Sequence, residues 1–95
     1  MIEEQVRNAI QSMDSAGERL AAARTKFLAA EEQFHSEERR FEKGLTTLFL
    51  VQQRQLTMVT SKTQVHRAET DLGVALAAFD LARAAIHKRH NVQLR

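Results

Sequence analysis

The stretch RFEKGLTTLFLV, residues 40–51, contains the only glycine in the central part of the chain. Bulky residues recur at seven-residue intervals on both sides of it, a repeat typical of helices that wind around a partner helix. They are Val6, Met13, Leu20, Phe27, Phe34 and Phe41 before the glycine, and Val51, Met58, Val65, Leu72, Phe79 and Ile86 after it. A single interruption between two such helices predicts a hairpin.

The residues of the interruption fit the turn of a hairpin. Lys43 and Gly44 are typical of a helix end, with the glycine in the left-handed conformation, and Thr46 or Thr47 can cap the next helix. We therefore predict an all-α fold, a single long antiparallel two-helix coiled-coil hairpin. Its parts are a first helix at about residues 2–43, a turn at 44–47 and a second helix at about 48–90.

Composition agrees with one small unit built from long helices. The 95 residues include no proline and no cysteine. Without proline the usual helix stops are missing, and without cysteine the unit must be held by packing alone.

Charge is balanced overall but not along the chain. Lys and Arg number 14 and Asp and Glu number 12, which is too even to favour a nucleic-acid partner. The part up to Thr47 has an acidic excess, whereas from Leu48 onward Lys and Arg outnumber the acids. No apolar run approaches the roughly 18 residues that a membrane-spanning helix needs, and the first residues do not have the pattern of a signal peptide.

Small residues follow the bulky ones by three positions: Ala9, Ala16, Ala23 and Ala30 in the first helix, and Ser61, Ala68, Ala75 and Ala82 in the second. In an antiparallel coiled coil large residues then meet small ones, which brings the two backbones close together. The predicted layers are Phe34 with Ser61, Phe27 with Ala68, Leu20 with Ala75, Met13 with Ala82, and in the reverse sense Ala30 with Val65, Ala23 with Leu72 and Ala16 with Phe79.

Near the turn, Glu37 and Arg54 replace the small residues at similar heights on the two helices. We expect a partly exposed salt bridge between them, worth about 0 to 1 kcal/mol. Gly17 and Gly73 interrupt the helices at comparable distances from the turn. They indicate either a shared bend or close lateral contact, or two tolerated surface glycines.

A second set of apolar residues lies outside the predicted seam: Ile10, Leu28, Leu48, Phe49, Leu50, Leu56, Val59, Leu76 and Leu81. One hairpin cannot cover a second apolar stripe as well as its seam. We therefore expect the chain to self-associate, as a dimer or a larger assembly.

The sequence favours a structural or binding role over catalysis. No nucleophile stands beside a base in a recognisable motif, and no glycine-rich phosphate loop is present. The four histidines have no cysteine or well-placed carboxylate beside them, which favours solvated side chains over a metal site. We expect no enzymatic activity, no cofactor and no metal.

The stretch 40–51 resembles a recurring signature of the TolC-type outer-membrane efflux proteins. In that family an Arg or Lys and an aromatic residue precede a turn glycine, and a Val-Leu type pair opens the following helix. The segments AETDL, residues 68–72, and ALAAFDLAR, residues 75–83, look like the family's helix in their alanine spacing. VRNA at 6–9 and AAEE at 29–32 are compatible with it.

The resemblance implies a periplasmic part of an outer-membrane export channel. Family members are trimers whose long helices form a periplasmic tunnel, with the glycine turn at its inner tip. There the turn meets the helical hairpin of a periplasmic adaptor, or membrane fusion, protein, which connects to an inner-membrane pump. By position, the docking tip here would consist of Gly44, Leu45, Thr46 and Thr47, braced by Phe41 and Leu48.

One departure from the family concerns the pore entrance. Many members carry acidic residues in the first turns of the second helix, where this chain has Leu50 and Gln53. The resemblance therefore implies an apolar or polar gate at these positions. Because a complete member also needs strands and a signal peptide, we expect this chain to be one hairpin of a longer protein.

Another class of protein shares the same predicted fold. A free-standing cytoplasmic coiled-coil scaffold or regulator would pair two hairpins into a four-helix bundle. The matching hairpin of an adaptor protein is a third interpretation, although no lipoyl-like or barrel sequence flanks it here.

Overall fold

The computed structural model describes the backbone of residues 2–93 and the side chains of residues 3–88. It consists of two helices, α1 at Ile2–Glu42 and α2 at Leu48–Gln93, joined by a turn. The helices pack against each other along their length, and the predicted all-α hairpin is confirmed. α2 continues three residues beyond the predicted end, since no proline or glycine stops it there.

The hairpin is a rod. Its radius of gyration is 21.4 Å, whereas a compact domain of this length would have about 12 Å. The principal extents are 77 × 14 × 13 Å, so the cross-section is that of two helices side by side. Neither helix, over the part that the structure describes, has a segment long and apolar enough to cross a membrane.

The seam between the helices is the one that the heptads predict. Leu20, Val65 and Ala68 form its buried cluster. Ala23, Phe27 and Leu72 pack against that cluster, so large and small residues of both helices meet there as expected.

Two small residues are the most completely buried in the seam, and its phenylalanines are less so. Ala16 and Ser61 are each only 1% exposed, whereas Phe27 and Phe34 remain partly exposed. A pair of helices encloses the residues on the line between them but cannot surround a side chain that reaches past that line. The large residues therefore close the flanks of the seam.

The apolar residues outside the seam are exposed, but they do not form a single stripe. Only Ile10 and Leu28 of this set lie on α1, and the others lie on α2 or at its start. Phe49, Leu56 and Val59 share one face of α2 because seven and three residues separate them. Val74 and Leu81 lie on nearly the same side as Leu56, because 18 and 25 residues are close to whole numbers of helical turns. Leu48, Leu50 and Leu76 lie on other sides of α2. The exposed stripe therefore lies on the outer face of α2 and includes fewer of the expected residues.

Gly17 and Gly73 are surface glycines within continuous helices. A Cβ atom added at either position would meet nothing within 4 Å. Neither glycine is therefore needed for a close approach between α1 and α2, which favours the interpretation as tolerated residues.

Candidate functional site at the hairpin tip

The first half of the turn is a helix end closed by Gly44. Its φ of +74° is left-handed, as predicted. Its amide donates to the carbonyl oxygen of Phe41 at 2.9 Å, and the amide of Leu45 donates to that of Arg40 at 2.8 Å. These two bonds make a Schellman motif, which satisfies carbonyls that the end of α1 would otherwise leave unpaired.

The second half of the turn is a helix start capped by Thr47. The amide of Leu50 donates to Oγ1 of Thr47 at 3.3 Å, and the amide of Val51 donates to the Thr47 carbonyl oxygen at 3.2 Å. Of the two threonines that could serve, Thr47 is therefore the cap of α2. Backbone bonds on both sides of the turn fix its shape.

Five large apolar side chains in and beside this turn are exposed, and we call them the apolar tip. Their exposed fractions lie between 39% for Leu50 and 65% for Phe49. The members are Phe41, Leu45, Leu48, Phe49 and Leu50. Phe41 and Leu48, which were expected to brace the turn, are 43% and 54% exposed, so both contribute to its surface. Phe49 was not among the predicted tip residues because its heptad position points away from the seam.

Charge is arranged around the apolar tip and not within it. Residues 44–53 contain no charged side chain. Arg39, Arg40 and Lys43 precede this segment and Arg54 follows it, and all four side chains are exposed. The end of the rod thus carries apolar side chains, with four cations and the exposed Glu42 at their border.

Glu37, which lies in the seam, forms salt bridges with two of these cations. Its Oε1 atom lies 3.7 Å from Nε of Arg54, and its Oε2 atom lies 3.8 Å from Nη1 of Arg40. The ion pair with Arg54 was predicted, but its expected partial exposure was wrong for the carboxylate, because the Glu37 side chain is only 7% exposed. Glu37 occupies a seam position at which the surrounding helix turns cover it, while the longer arginine side chains reach solvent.

Leu50 and Gln53, the positions compared with a pore entrance, are both exposed in the first two turns of α2. The first turn of α2 contains no acidic residue. The predicted gate positions are therefore uncharged, and Leu50 itself belongs to the apolar tip. Their role stays a prediction.

The fold and the tip together define a class, a two-helix coiled-coil hairpin with a rigid, apolar and exposed turn. No protein-family model, curated protein or solved structure matches this chain.

Proposed function

We propose that this chain is a protein-binding hairpin that docks end-on through its apolar tip, and that its partner is the periplasmic adaptor of an outer-membrane export channel. The observation that carries the proposal is the concentration of five large exposed apolar side chains within ten residues around the turn, at one end of a rod. Exposed apolar residues that cluster in this way often mark a contact with another molecule.

The turn is suited to binding because its backbone is already ordered. The Schellman motif around Gly44 and the cap at Thr47 hold Leu45 and Leu48 in place before any partner arrives. A preordered loop loses little conformational entropy on binding, so more of the contact energy appears as affinity. The exposed phenylalanine side chains beside the turn, Phe41 and Phe49, are suitable anchors, because aromatic residues are enriched at protein interfaces.

The identity of the partner comes from the resemblance. The TolC-type signature places a glycine between a basic-aromatic pair and the next helix, and Gly44 holds the left-handed turn at that position. The position of the apolar tip also suits this role, because a rod packed beside others leaves its end accessible. Both points support an end-on contact with an adaptor.

Substitutions at the apolar tip test the proposal. Phe49→Asp removes an apolar anchor, but it places a carboxylate in the first turn of α2, where the helix dipole favours it. Folding should therefore be unaffected, whereas affinity for the purified periplasmic adaptors of the source organism should fall by at least about thirtyfold. Binding can be measured by isothermal titration calorimetry, with helicity followed by circular dichroism.

Leu81→Asp is the matched control, because Leu81 is an exposed apolar residue of the same helix far from the turn. It should leave adaptor binding unchanged. If the unaltered hairpin binds no adaptor, or if Phe49→Asp and Leu81→Asp weaken binding equally, docking through the tip is wrong.

A scaffold that pairs hairpins into a four-helix bundle is a second candidate. The observation in its favour is the apolar outer surface of α2, where Leu56 and Val59 are exposed well away from the turn. Under this alternative Phe49→Asp would change little, whereas charged residues at Leu56 and Val59 would dissociate the assembly. The two functions therefore respond to substitutions on different parts of α2.

A further inference from the structure

We infer that the surface which receives the apolar tip is an apolar patch bordered by carboxylates of a protein partner. This inference rests on the proposed function and adds the chemistry of the partner. It follows from the distribution of charge around the turn.

The centre of the contact is uncharged. Residues 44–53 contribute only apolar side chains and the uncharged polar groups of threonine and glutamine. An acidic or basic group placed opposite Leu45 or Phe49 would lose its hydration without gaining a partner, which costs binding energy. The centre of the partner surface must therefore be apolar.

The border of the contact is cationic. Arg39, Arg40 and Lys43 at the end of α1 and Arg54 in α2 all reach solvent. Among the described side chains, residues 3–88, Arg39 and Lys43 take part in none of the salt bridges. These two cations are free to pair with carboxylates at the rim of a partner.

One of the three acids near the tip is withdrawn from solvent. The carboxylate of Glu37 is buried between Arg40 and Arg54. The Glu38 side chain is 46% exposed and lies 3.2 Å from Nδ1 of His35, and Glu42 is exposed. Exposed cations therefore outnumber exposed carboxylates by four to two at this end of the rod.

A protein fits this pattern better than an anionic membrane does. Four cations and three carboxylates between residues 37 and 54 leave a net charge of only one positive. Attraction to a lipid surface follows the summed charge, at about 1 kcal/mol per basic residue, so it would be weak here. A protein can place its carboxylates opposite individual cations and away from Glu42, and Glu37 restrains two of those cations for such a contact.

The test compares charge reversal at the border of the tip with the same change elsewhere. Lys43→Glu should weaken binding to the purified adaptor by about tenfold at low salt and should make the affinity less sensitive to salt. Lys62→Glu, on an exposed part of α2 away from the turn, is the matched control and should change the affinity less than twofold. The unaltered hairpin should bind more weakly as NaCl rises from about 50 to about 300 mM, because salt screens rim charges.

Each alternative has its own result. Adaptor binding that depends on Phe49 but not on salt or on Lys43 would overturn the acidic rim and leave the proposed function standing. Absence of adaptor binding would overturn both. Sedimentation with phosphatidylglycerol vesicles but not with phosphatidylcholine vesicles, lost in Lys43→Glu, would assign the cations to a lipid surface and also overturn the inference.

Discussion

Gly44 and Gly73 show at the residue scale how the same amino acid serves opposite purposes in one hairpin. Gly44 has a φ of +74°, which a residue with a Cβ adopts at a cost. Gly73 lies inside α2, where glycine only adds freedom to the unfolded chain and where an added Cβ meets open space.

Alanine at these two positions should therefore change stability in opposite directions. Gly44→Ala should lower the free energy of unfolding by about 1 to 2 kcal/mol. Gly73→Ala should raise it by up to about 1 kcal/mol. Urea unfolding followed by circular dichroism measures both, and equal signs for the two variants would contradict the assigned roles.

The salt bridges and the burial of Glu37 could be predicted from the sequence only in part. Its partner Arg54 could be predicted because both occupy seam positions at matching heights from the turn. Its burial could not, because only the surrounding turns of the folded helix pair cover the carboxylate. Its second partner, Arg40, stands at the i, i+3 spacing along α1 that the sequence offers for an ion pair. Phe49 was likewise missed as a tip residue, because heptad spacing describes the seam and not the surface of a turn.

At the scale of the element, the two helices differ in what surrounds their shared seam. α1 has acidic residues in its first turn and basic residues in its last, which complements its dipole. α2 has no acid in its first turn and carries most of the exposed apolar residues. α1 thus has the surface of a solvated helix, whereas α2 has the surface of a helix with a further neighbour.

The two-helix fold could be predicted because the heptads, the small seam residues and the turn glycine agree. Agreement between local signals of this kind is what specifies one structure. The outer stripe of α2 could be predicted in part, because Phe49 and Leu56 are seven residues apart and so are Val74 and Leu81. Leu48, Leu50 and Leu76 lie on other sides of the helix, so apolar character alone did not identify which residues share a face.

A leucine in the seam and a leucine on the exposed side of α2 should respond differently to replacement by alanine. Leu20 is buried in the seam cluster, so Leu20→Ala should destabilise the hairpin by about 2 to 3 kcal/mol. Leu81 is exposed, and Leu81→Ala should change stability by less than about 0.5 kcal/mol. Both values come from the midpoint and slope of urea unfolding, and a large effect at Leu81 would show that its side chain is covered in solution.

At the scale of the whole molecule, a rod only 13 to 14 Å across cannot enclose its own apolar surface. Its end carries the apolar tip and its flank carries the outer residues of α2. The two surfaces have different consequences, because the tip is fixed by capping bonds and bordered by cations, whereas the flank is a plain helix surface.

The flank should drive association of the hairpin with copies of itself. Leu56 and Val59 lie on the outer face of α2, and Val74 and Leu81 lie on nearly the same face farther from the turn. Light scattering coupled to size-exclusion chromatography should show a mass above that of the monomer. Replacing both Leu56 and Val59 by glutamine should lower that mass, because it removes apolar area from the face nearest the tip.

The same replacement at Val74 and Leu81 is the control for position. A smaller effect there would locate the association on the part of α2 near the turn, and an equal effect would show that the outer face of α2 contributes along its length. A chain that stays monomeric at about millimolar concentration, a range in which only very weak contacts dissociate, would contradict association altogether. The exposed residues of α2 would then belong to contacts with a different protein, and the adaptor measurements at the tip could be made on a monomer without correction for self-association.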